Sequence, residues 1–318
     1  KIMKVQYSYG PVPSRRLGKS LGINNIPAKI CTYSCIYCQI GKTIKTQNHR
    51  QAFYNPKDIF LDVQDRIQKL KDLSEKIDYL TFVPDGEPTL DINLGEEINL
   101  LKTLNIPVGI ITSSSLIWKE DVRKDISNAD WVSLKIDTVD ESTWQKINKP
   151  DKSIKLNMIL EGIIEFSKIF TGKLVIETML VQDVNDKDCH IEEVANFLSK
   201  VNPSCSYIST PIRPPAEKWV QKLDEKSLNH SYQIISKKVK QVEYLISYEG
   251  NEFTFTDDIE KDILNITSVH PMRKDAVELF LSRAGASWDV FENLLKKGYI
   301  TEIKYNDNKF YLRKLKNA

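Results

Sequence analysis

The sequence has no run of about 18 apolar residues, the length that a membrane-spanning helix requires. Its first residues also lack the apolar core of a signal peptide. Neither charge sign is in excess, because 45 lysines and arginines face 43 aspartates and glutamates, for a net charge of +2. This balance excludes an overall attraction to nucleic acid or to an anionic membrane, which only a local patch could supply. We expect a cytoplasmic protein with no membrane partner.

Cysteine is scarce too: the chain has five, an odd number that does not suit a disulfide framework. Three of them, Cys31, Cys35 and Cys38, fall within eight residues, and close cysteines in a reducing compartment more often bind metal. Thiolates of this kind hold iron–sulfur clusters, and three of them on a four-iron cubane leave one iron open to a small chelating ligand. The alternative is a zinc site, which requires four ligands and would take His49 as the fourth.

The other two cysteines, Cys189 and Cys205, stand alone in the sequence. A second cubane normally needs three or four more cysteines, so we expect no auxiliary cluster. We interpret both residues as small buried hydrophobic side chains rather than catalytic thiols. The four histidines form no recognisable constellation either.

Helix and strand patterns alternate from about residue 56 to residue 210. Apolar residues at helical spacing predict helices near 59–70, 94–104, 156–170 and 190–200. Short apolar runs predict strands at 79–83, 108–112, 131–136, 174–181 and 207–210. This alternation predicts βαβ units, a parallel sheet and an α/β fold. Because ligands bind at the carboxyl ends of parallel strands, we expect the chemistry in the loops that follow these strands.

The pattern changes after residue 222, which we take as the end of the first domain. Residues 223–256 predict a charged connecting helix followed by a strand and hairpin. Residues 257–318 predict a small separate domain with three helices, near 258–266, 273–283 and 288–297, and two final strands around an Asn-Asp-Asn turn. Three helices and a β-hairpin make a winged-helix-like topology. Winged helices often enter the DNA major groove, but the last helix here carries two acidic residues and two lysines, a weak nucleic-acid footprint.

The three cysteines form a CxxxCxxC motif with an aromatic residue, Tyr37, before the last cysteine, and this motif resembles the signature of the radical S-adenosylmethionine (SAM) superfamily. The segments YGPVPSRRLG (9–18), CQIGK (38–42) and TPIRPP (210–215) resemble one branch of it, loosely grouped with wyosine-tRNA synthesis proteins. The resemblance implies a partial (β/α)6 TIM-like barrel over residues 1–222, with a [4Fe–4S] cluster in the loop after a first strand near residues 21–24. It also implies SAM on the open iron, Tyr37 beside the cofactors, and an electron donor such as flavodoxin or ferredoxin.

Two loops at predicted strand ends resemble SAM-binding elements of that superfamily. Residues 84–88 resemble its Gly-Gly-Glu-Pro element, which implies that Asp85, Gly86 and Glu87 lie at the amino group of SAM, although Asp85 replaces the usual glycine. A carboxylate and backbone carbonyls there could accept hydrogen bonds from an ammonium. Residues 112–115 resemble its Thr-Asn-Gly element, which implies that Thr112 and Ser113 lie near the ribose and methionine parts. The respective alternatives are an ordinary acidic turn and a helix N-cap.

Two strand positions complete the predicted SAM site. Ser133 matches the serine that touches the SAM carboxylate in the superfamily, and its alternative is a buried serine bonded to backbone. Strand alternation places Lys135 and Asp137 on the same side as Ser133. Glu177 lies inside an apolar strand, where a carboxylate is costly unless it is paired or faces a cavity. We expect it to point toward SAM or substrate, with a structural ion pair as the alternative.

Arg15 and Arg16 could bind an anionic substrate or the carboxylate of SAM, and solvated surface arginines are the alternative. The resemblance implies an enzyme that cleaves SAM reductively to methionine and a 5′-deoxyadenosyl radical, which removes hydrogen from a substrate. Three hypotheses remain for its role. The substrate is RNA or protein held by the winged-helix-like domain, or it is a small metabolite, or the chain is a non-enzymatic iron–sulfur or zinc regulator that binds DNA.

Overall fold

The computed structural model describes residues 6–247, 249–256 and 258–314. The strands are β1 (Ser8–Ser14), β2 (Gly18–Ile23), β3 (Ile30–Cys31), β4 (Lys45–Thr46), β5 (Tyr79–Phe82), β6 (Val108–Ile111), β7 (Trp131–Lys135), β8 (Lys173–Met179), β9 (Cys205–Ser209), β10 (Val242–Leu245), β11 (Met272–Arg273), β12 (Ile300–Tyr305) and β13 (Asn308–Arg313). The helices are α1 (Pro56–Asp72), α2 (Leu94–Lys102), α3 (Glu120–Ile126), α4 (Glu141–Asn148), α5 (Leu156–Ile169), α6 (Asp188–Val201), α7 (Glu225–Ser236), α8 (Ile259–Val269), α9 (Lys274–Arg283) and α10 (Trp288–Lys296).

The central sheet has eight strands in the order β1-β2-β5-β6-β7-β8-β9-β10. All neighbouring pairs from β2 to β10 are parallel, and β1 alone runs antiparallel to its neighbour β2. The predicted α/β fold with a mostly parallel sheet is confirmed, and this strand order is consistent with the predicted partial barrel. The carboxyl ends of the parallel strands meet at one edge of the sheet, so the loops that follow them lie together.

The first long helix shows how local sequence sets these elements. Asn55 accepts a hydrogen bond from the backbone N–H of Lys57, and a proline occupies the first helical position of α1. Both features favour a helix start. The apolar residues of the predicted helix face are buried against the sheet: Ile59, Val63, Ile67 and Leu70. The helix is therefore amphipathic, and burial of this face holds it on the sheet.

The short strands β3, β4 and β11 were not predicted, and two longer strands also differ from the sequence prediction. β1 was not predicted, since its sequence contains a glycine and two prolines, which are poor strand formers. The strand β10 extends the main sheet by pairing with β9, and the predicted hairpin is not formed, because residues 249–256 contain no strand. That segment covers β1 instead: Thr254 donates its backbone N–H to the carbonyl of Pro11, and Phe253 is fully buried.

The C-terminal part contains the predicted three helices and terminal hairpin, and its three strands form a separate sheet in the order β11-β13-β12. Asn306 and Asp307 have positive φ angles of 45° and 61° at the hairpin turn, a conformation that these residue types tolerate. The winged-helix-like assignment and the domain boundaries at residues 222 and 256 stay predictions. No helix in the described part of the chain is long and apolar enough to cross a membrane.

The C-terminal part packs firmly on the sheet. Tyr9 and Val12 of β1 belong to the same apolar cluster as Phe280 of α9 and other C-terminal residues. A buried ion pair joins Arg66 of α1 to Asp262 of α8 with an N–O distance of 2.8 Å. The Arg66 guanidinium also donates to the carbonyl oxygen of Gly10. The shared core and this buried pair fix the C-terminal part against the strand β1.

Candidate active site

A cavity of about 320 Å³ lies at the carboxyl-end edge of the sheet. Its lining includes Cys31, Cys35 and Cys38 together with residues near the carboxyl ends of β7 and β8 and residues that follow β5, β6 and β9. The three cysteines and the polar strand ends, which the sequence places up to about 180 residues apart, therefore share one space. Nearly all the residues predicted for the site line this cavity: Tyr37, Gly86, Glu87, Thr112, Ser113, Ser133 and Glu177.

Hydrogen bonds to α4 shape the cysteine loop. The backbone N–H of Ile36 donates to the carbonyl oxygen of Ile147 at 2.9 Å, and Ser34 donates to the carbonyl oxygen of Asn148. The side-chain amide of Asn148 donates to the sulfur of Cys35 at 3.5 Å. Asn148 could not be identified from the sequence, because no local pattern connects it to the cysteines. Its N–H can stabilise negative charge on that sulfur.

The three thiols stay protonated without a metal, because burial disfavours their thiolates. Burial raises the pKa of Cys35 to about 12, and it also raises the pKa of Cys31 and Cys38. Metal binding would thus displace protons from these sulfurs. The amine of Lys29 is buried without a hydrogen-bond partner in the described chain, and it interacts electrostatically with Cys38 and Cys31.

These residues fit an iron–sulfur cluster. Three soft sulfur ligands face one cavity, a cation and an amide N–H lie beside them, and the polar strand ends form the remaining wall. The fourth ligand of the zinc alternative, His49, is an exposed residue and does not line the cavity. The arrangement thus offers three protein ligands and one open side.

Tyr37 is held by polar contacts beside the cysteines. Its hydroxyl donates to the carboxylate of Asp137 and accepts a hydrogen bond from the amide of Asn148 at 3.2 Å. The amine of Lys135 lies 4.9 Å from the centroid of the Tyr37 ring, a cation–π distance. Burial, followed by the charge of Asp137, raises the pKa of Tyr37 well above its usual value. The phenol is therefore neutral, and its ring forms a fixed wall of the cavity.

The turn after β5 meets the cysteine loop at a glycine. An added Cβ at Gly86 would lie 1.8 Å from the carbonyl oxygen of Ile30, which is far inside contact distance. This close approach lets the N–H of Glu87 donate to that same carbonyl at 3.1 Å. The backbone N–H of Lys29 also donates to the carbonyl oxygen of Asp85 at 3.0 Å. Two backbone bonds thus join the predicted SAM turn to the cluster loop.

The side chain of Asp85 differs from its neighbours, since it is absent from the cavity lining that the structure describes. It is buried near Lys29 and the C-terminal residues Ser268 and Arg313. Burial raises its pKa to about 6 against the opposing effect of Lys29. Asp85 therefore connects the turn to the C-terminal part of the chain.

The carboxylate of Glu87 joins two strand-end loops. It accepts hydrogen bonds from the hydroxyl of Thr112 at 2.5 Å, and from the hydroxyl and backbone N–H of Ser113 at 2.6 and 2.8 Å. Thr89 donates to the same carboxylate through its N–H and its hydroxyl. Five donors therefore surround a buried anion, which offsets the cost of its burial. Thr112 and Ser113 are positioned by Glu87, and this fixes the loop after β6 relative to the loop after β5.

A second carboxylate, Glu177, lines the cavity and forms the ion pairs that the sequence analysis gave as the alternative, while its contact with SAM or substrate stays a prediction. Its carboxylate contacts Arg16 at 2.7 Å and Lys135 at 3.1 Å, and it accepts a hydrogen bond from Ser209 at 2.9 Å. Arg16 also donates to the hydroxyl of Ser133 at 3.2 Å. Burial opposes ionisation of Glu177, but Lys135 and Arg16 outweigh it and lower the pKa well below its usual range. Glu177 is thus an anion at neutral pH and cannot donate a proton there.

The cavity lining also includes Arg213, Glu249 and Ser209, to which the sequence patterns assigned no role. Arg213 lies in the TPIRPP segment, which marked a resemblance to one branch of the superfamily but did not indicate what the arginine does. Glu249 lies in the irregular segment after β10, where no local pattern marks it.

Fold and site together define a class: an α/β protein whose three-cysteine loop and polar strand ends converge on one cavity. The chain belongs to the Radical SAM superfamily, whose family model matches residues 25–198. More narrowly, it groups with the UPF0026 proteins. It is 48% identical over 314 residues to the UPF0026 protein MJ1312 of Methanocaldococcus jannaschii, covering 98% of this chain and 97% of that protein. A UPF0026 protein of Helicobacter pylori is 30% identical, with coverage of 95% and 96%.

Solved structures share the fold. A structure of TYW1 with a lysine-pyruvate adduct bound gives a TM-score of 0.52 at 15% identity, covering 69% of this chain and 74% of that one. A radical SAM methyltransferase from Sphaerobacter thermophilus gives 0.51 at 12% identity, covering 72% and 67%. The predicted superfamily is confirmed. Membership implies an enzyme that uses SAM and, typically, an iron–sulfur cluster, and such enzymes generally need a reductant.

Proposed function

We propose that this protein is an enzyme that holds a [4Fe–4S] cluster on Cys31, Cys35 and Cys38 and cleaves SAM reductively. When bound and reduced by a donor such as flavodoxin or ferredoxin, the cluster supplies one electron to the sulfonium of SAM, giving methionine and a 5′-deoxyadenosyl radical that takes a hydrogen atom from the substrate. The observation that carries this proposal is the convergence of all three cysteines with the strand-end residues on one cavity.

The chain's own residues would hold and orient these partners. Asn148 donates to the Cys35 sulfur and stabilises its thiolate. The turn at Gly86 and Glu87 lies against the cysteine loop, so its carbonyl groups can accept hydrogen bonds from the ammonium of SAM beside the cluster. The hydroxyl of Ser133, which accepts a hydrogen bond from Arg16, can donate to a carboxylate. Asp85 is left out of the proposed SAM contacts because its side chain does not line the cavity.

Glu87, Thr112 and Ser113 act by positioning. The five hydrogen bonds at the Glu87 carboxylate leave little capacity for a further donor, so its role is to fix the loops after β5 and β6. Fixed loops keep the reacting groups aligned without reorganisation at the moment of reaction. Tyr37 is held by its hydrogen bond to Asp137, and Glu177 is held by its ion pairs with Arg16 and Lys135. These contacts make that wall of the cavity rigid and charged.

We further propose that the substrate is a small molecule. The C-terminal part borders a second cavity that shares residues with the first, with Val269 and His270 in its lining. Its docking on β1 and α1 gives this part a structural role in closing the cavity. An RNA or protein substrate held there stays a prediction. Deleting residues 257–318 would expose Tyr9 and Val12, so deletion would test folding rather than substrate binding.

The test is anaerobic reconstitution with iron and sulfide, followed by dithionite and SAM. We expect the wild-type protein to form 5′-deoxyadenosine, detected by chromatography, and to contain about four irons per chain. Cys35→Ala should lose both properties. The matched control is Cys189→Ala, since Cys189 lies outside the cavity lining and is exposed. Its exposure corrects the prediction that it is buried, which holds only for Cys205. A wild-type protein that takes up the cluster but does not cleave SAM contradicts the proposal.

A further inference from the structure

The cysteine cavity continues toward the C-terminal part of the chain. A second cavity of about 130 Å³ shares Arg15, Arg213 and Glu249 with the first, and it is bordered by Val269 and His270. These residues come from the turn after β1, the loop after β9, the segment after β10 and the end of α8. The proposed function uses none of Arg15, Arg213 and Glu249, although the sequence marked Arg15 as a candidate for anion binding. The junction is therefore a second polar region within reach of the cluster.

Two guanidinium groups share one carboxylate at this junction. Arg213 Nη2 lies 2.5 Å and Arg15 Nη2 lies 3.3 Å from Oε1 of Glu249. The side chains of Arg213 and Glu249 are 11% and 9% exposed, so this charge is largely removed from water. Burial, followed by the charge of Arg213, lowers the pKa of His270 to about 3, so its ring is neutral at pH 7. Two guanidinium groups and one carboxylate, those of Arg15, Arg213 and Glu249, therefore leave one excess positive charge in the lining of the cavity.

Several donors here have no partner. Nε and Nη1 of Arg15 and Nε of Arg213 are buried and make no hydrogen bond within the described residues. Buried N–H groups of a cation are costly to leave unpaired, and a guanidinium binds carboxylate or phosphate oxygens strongly. Oε2 of Glu249 likewise has no hydrogen-bond partner within the described residues. It could accept a hydrogen bond from a hydroxyl or amine that lies next to the carboxylate or phosphate of a ligand.

We propose that Arg15 and Arg213 form a subsite for the anionic group, carboxylate or phosphate, of the substrate. The subsite rests on the proposed function, because the rest of the substrate would extend from it toward the three cysteines. Arg16 is not part of the subsite, since its guanidinium is engaged by Glu177 and Ser133.

The subsite is connected to the cluster loop. Arg213 Nη1 donates to Oε1 of Gln39 at 2.6 Å, and Nε2 of Gln39 donates to the carbonyl oxygen of Val269 at 2.9 Å. Gln39 directly follows Cys38, so these bonds fix the distance between the anion-binding guanidinium and the cluster loop. Prolines at 211, 214 and 215 restrict the backbone around Arg213. A substrate bound here would be held at a set distance from the cysteines.

The test measures binding of two probes, inorganic phosphate and malonate, to the oxidised, reconstituted enzyme by isothermal titration calorimetry. Saturating SAM is present, so that the SAM site is already occupied. Arg15→Gln and Arg213→Gln should each weaken binding of the preferred anion about tenfold or more. Glu249→Gln should strengthen it several-fold, because a competing carboxylate is removed. The control Lys296→Gln removes one charge at an exposed residue and should change nothing. The preferred probe shows whether the substrate group is a phosphate or a carboxylate.

Circular dichroism and iron content establish that each variant is folded, and the opposite sign expected for Glu249→Gln separates anion binding from loss of structure. The subsite is refuted if neither anion binds to the SAM-saturated enzyme, or if Arg15→Gln binds both anions as tightly as wild type. Wild-type enzyme that forms 5′-deoxyadenosine but binds neither anion refutes the subsite alone. Enzyme that binds an anion but does not cleave SAM refutes the proposed function and leaves the anion site standing.

Discussion

Replacement of Gly86 by alanine should separate the SAM turn from the cluster loop. The new Cβ would lie 1.8 Å from the Ile30 carbonyl oxygen, 2.8 Å from its carbonyl carbon and 2.9 Å from Cδ1 of Ile26. Two of these neighbours are backbone atoms, so a side-chain rotation cannot relieve the clash. The turn must move, and it would take with it the hydrogen bonds from Glu87 to Ile30 and from Lys29 to Asp85.

The magnitude follows from these contacts. Overpacking costs about 1–3 kcal/mol, and each of the two backbone hydrogen bonds contributes about 0.5–1.5 kcal/mol, so we expect a loss of about 2–6 kcal/mol in the free energy of unfolding. Urea unfolding of the metal-free protein measures this loss. The reconstituted variant should also bind less iron and bind SAM more weakly than wild type, because the turn and the cysteine loop no longer share a fixed geometry.

A glycine within the sheet provides the control. An added Cβ at Gly109 of β6 would meet Trp131, Leu17 and Thr81 at 3.4–3.7 Å, which are ordinary contact distances. Gly109→Ala should therefore change stability by less than about 1 kcal/mol and should keep wild-type iron content. Our reasoning about the turn is refuted if Gly86→Ala matches Gly109→Ala in stability, iron content and SAM affinity.

Three further predictions concern buried charges. Glu177→Gln leaves Arg16 and Lys135 without their anion, so unfolding in urea should show a loss of about 3–5 kcal/mol, against at most about 1 kcal/mol for the exposed Glu165→Gln; equal losses would contradict a buried pair. Asp262→Asn breaks the buried pair with Arg66 and should cost a similar 3–5 kcal/mol or so, whereas the surface control Asp65→Asn should cost less than about 1 kcal/mol; a small loss would show that the C-terminal part does not depend on this pair. Burial and the neighbouring Asp91 raise the pKa of Glu97 to about 9. A carboxyl whose pKa is higher in the folded than in the unfolded protein makes the folded protein less stable as the pH rises, so the free energy of unfolding of the wild type should fall between about pH 5 and 9. Glu97→Gln should reduce that fall by about 1–3 kcal/mol in unfolding curves recorded across this range, and an unchanged slope would show that Glu97 does not cause it.

The sequence by itself determined the parts of this protein that depend on local patterns. Cys31, Cys35 and Cys38 lie within one loop, so their spacing alone predicts a shared ligand. Alternating apolar strands and amphipathic helices predict a parallel sheet, and a parallel sheet brings the ends of its strands to one edge. Glu87, Thr112 and Ser133 could be predicted as neighbours because each lies at or near such a strand end.

The contacts of particular side chains depended on the tertiary structure. Asp85 and Glu87 are two residues apart, yet Glu87 lines the cavity and Asp85 turns toward the C-terminal part. Thr112 and Ser113 donate to Glu87, a pairing set by the order of β5 and β6 in the sheet. A resemblance to SAM-binding elements identifies such positions but does not specify the partners that surround them.

Tertiary structure alone brought Arg15, Arg213 and Glu249 together from positions up to 234 residues apart. Their meeting required β10 to join the sheet beside β9 and the following segment to pack over β1. It also required the end of α8 to approach Gln39, next to the last cysteine. Periodicity and motif spacing report only on residues near one another in the chain, whereas these contacts result from strand order and from the docking of separate parts on a shared apolar core.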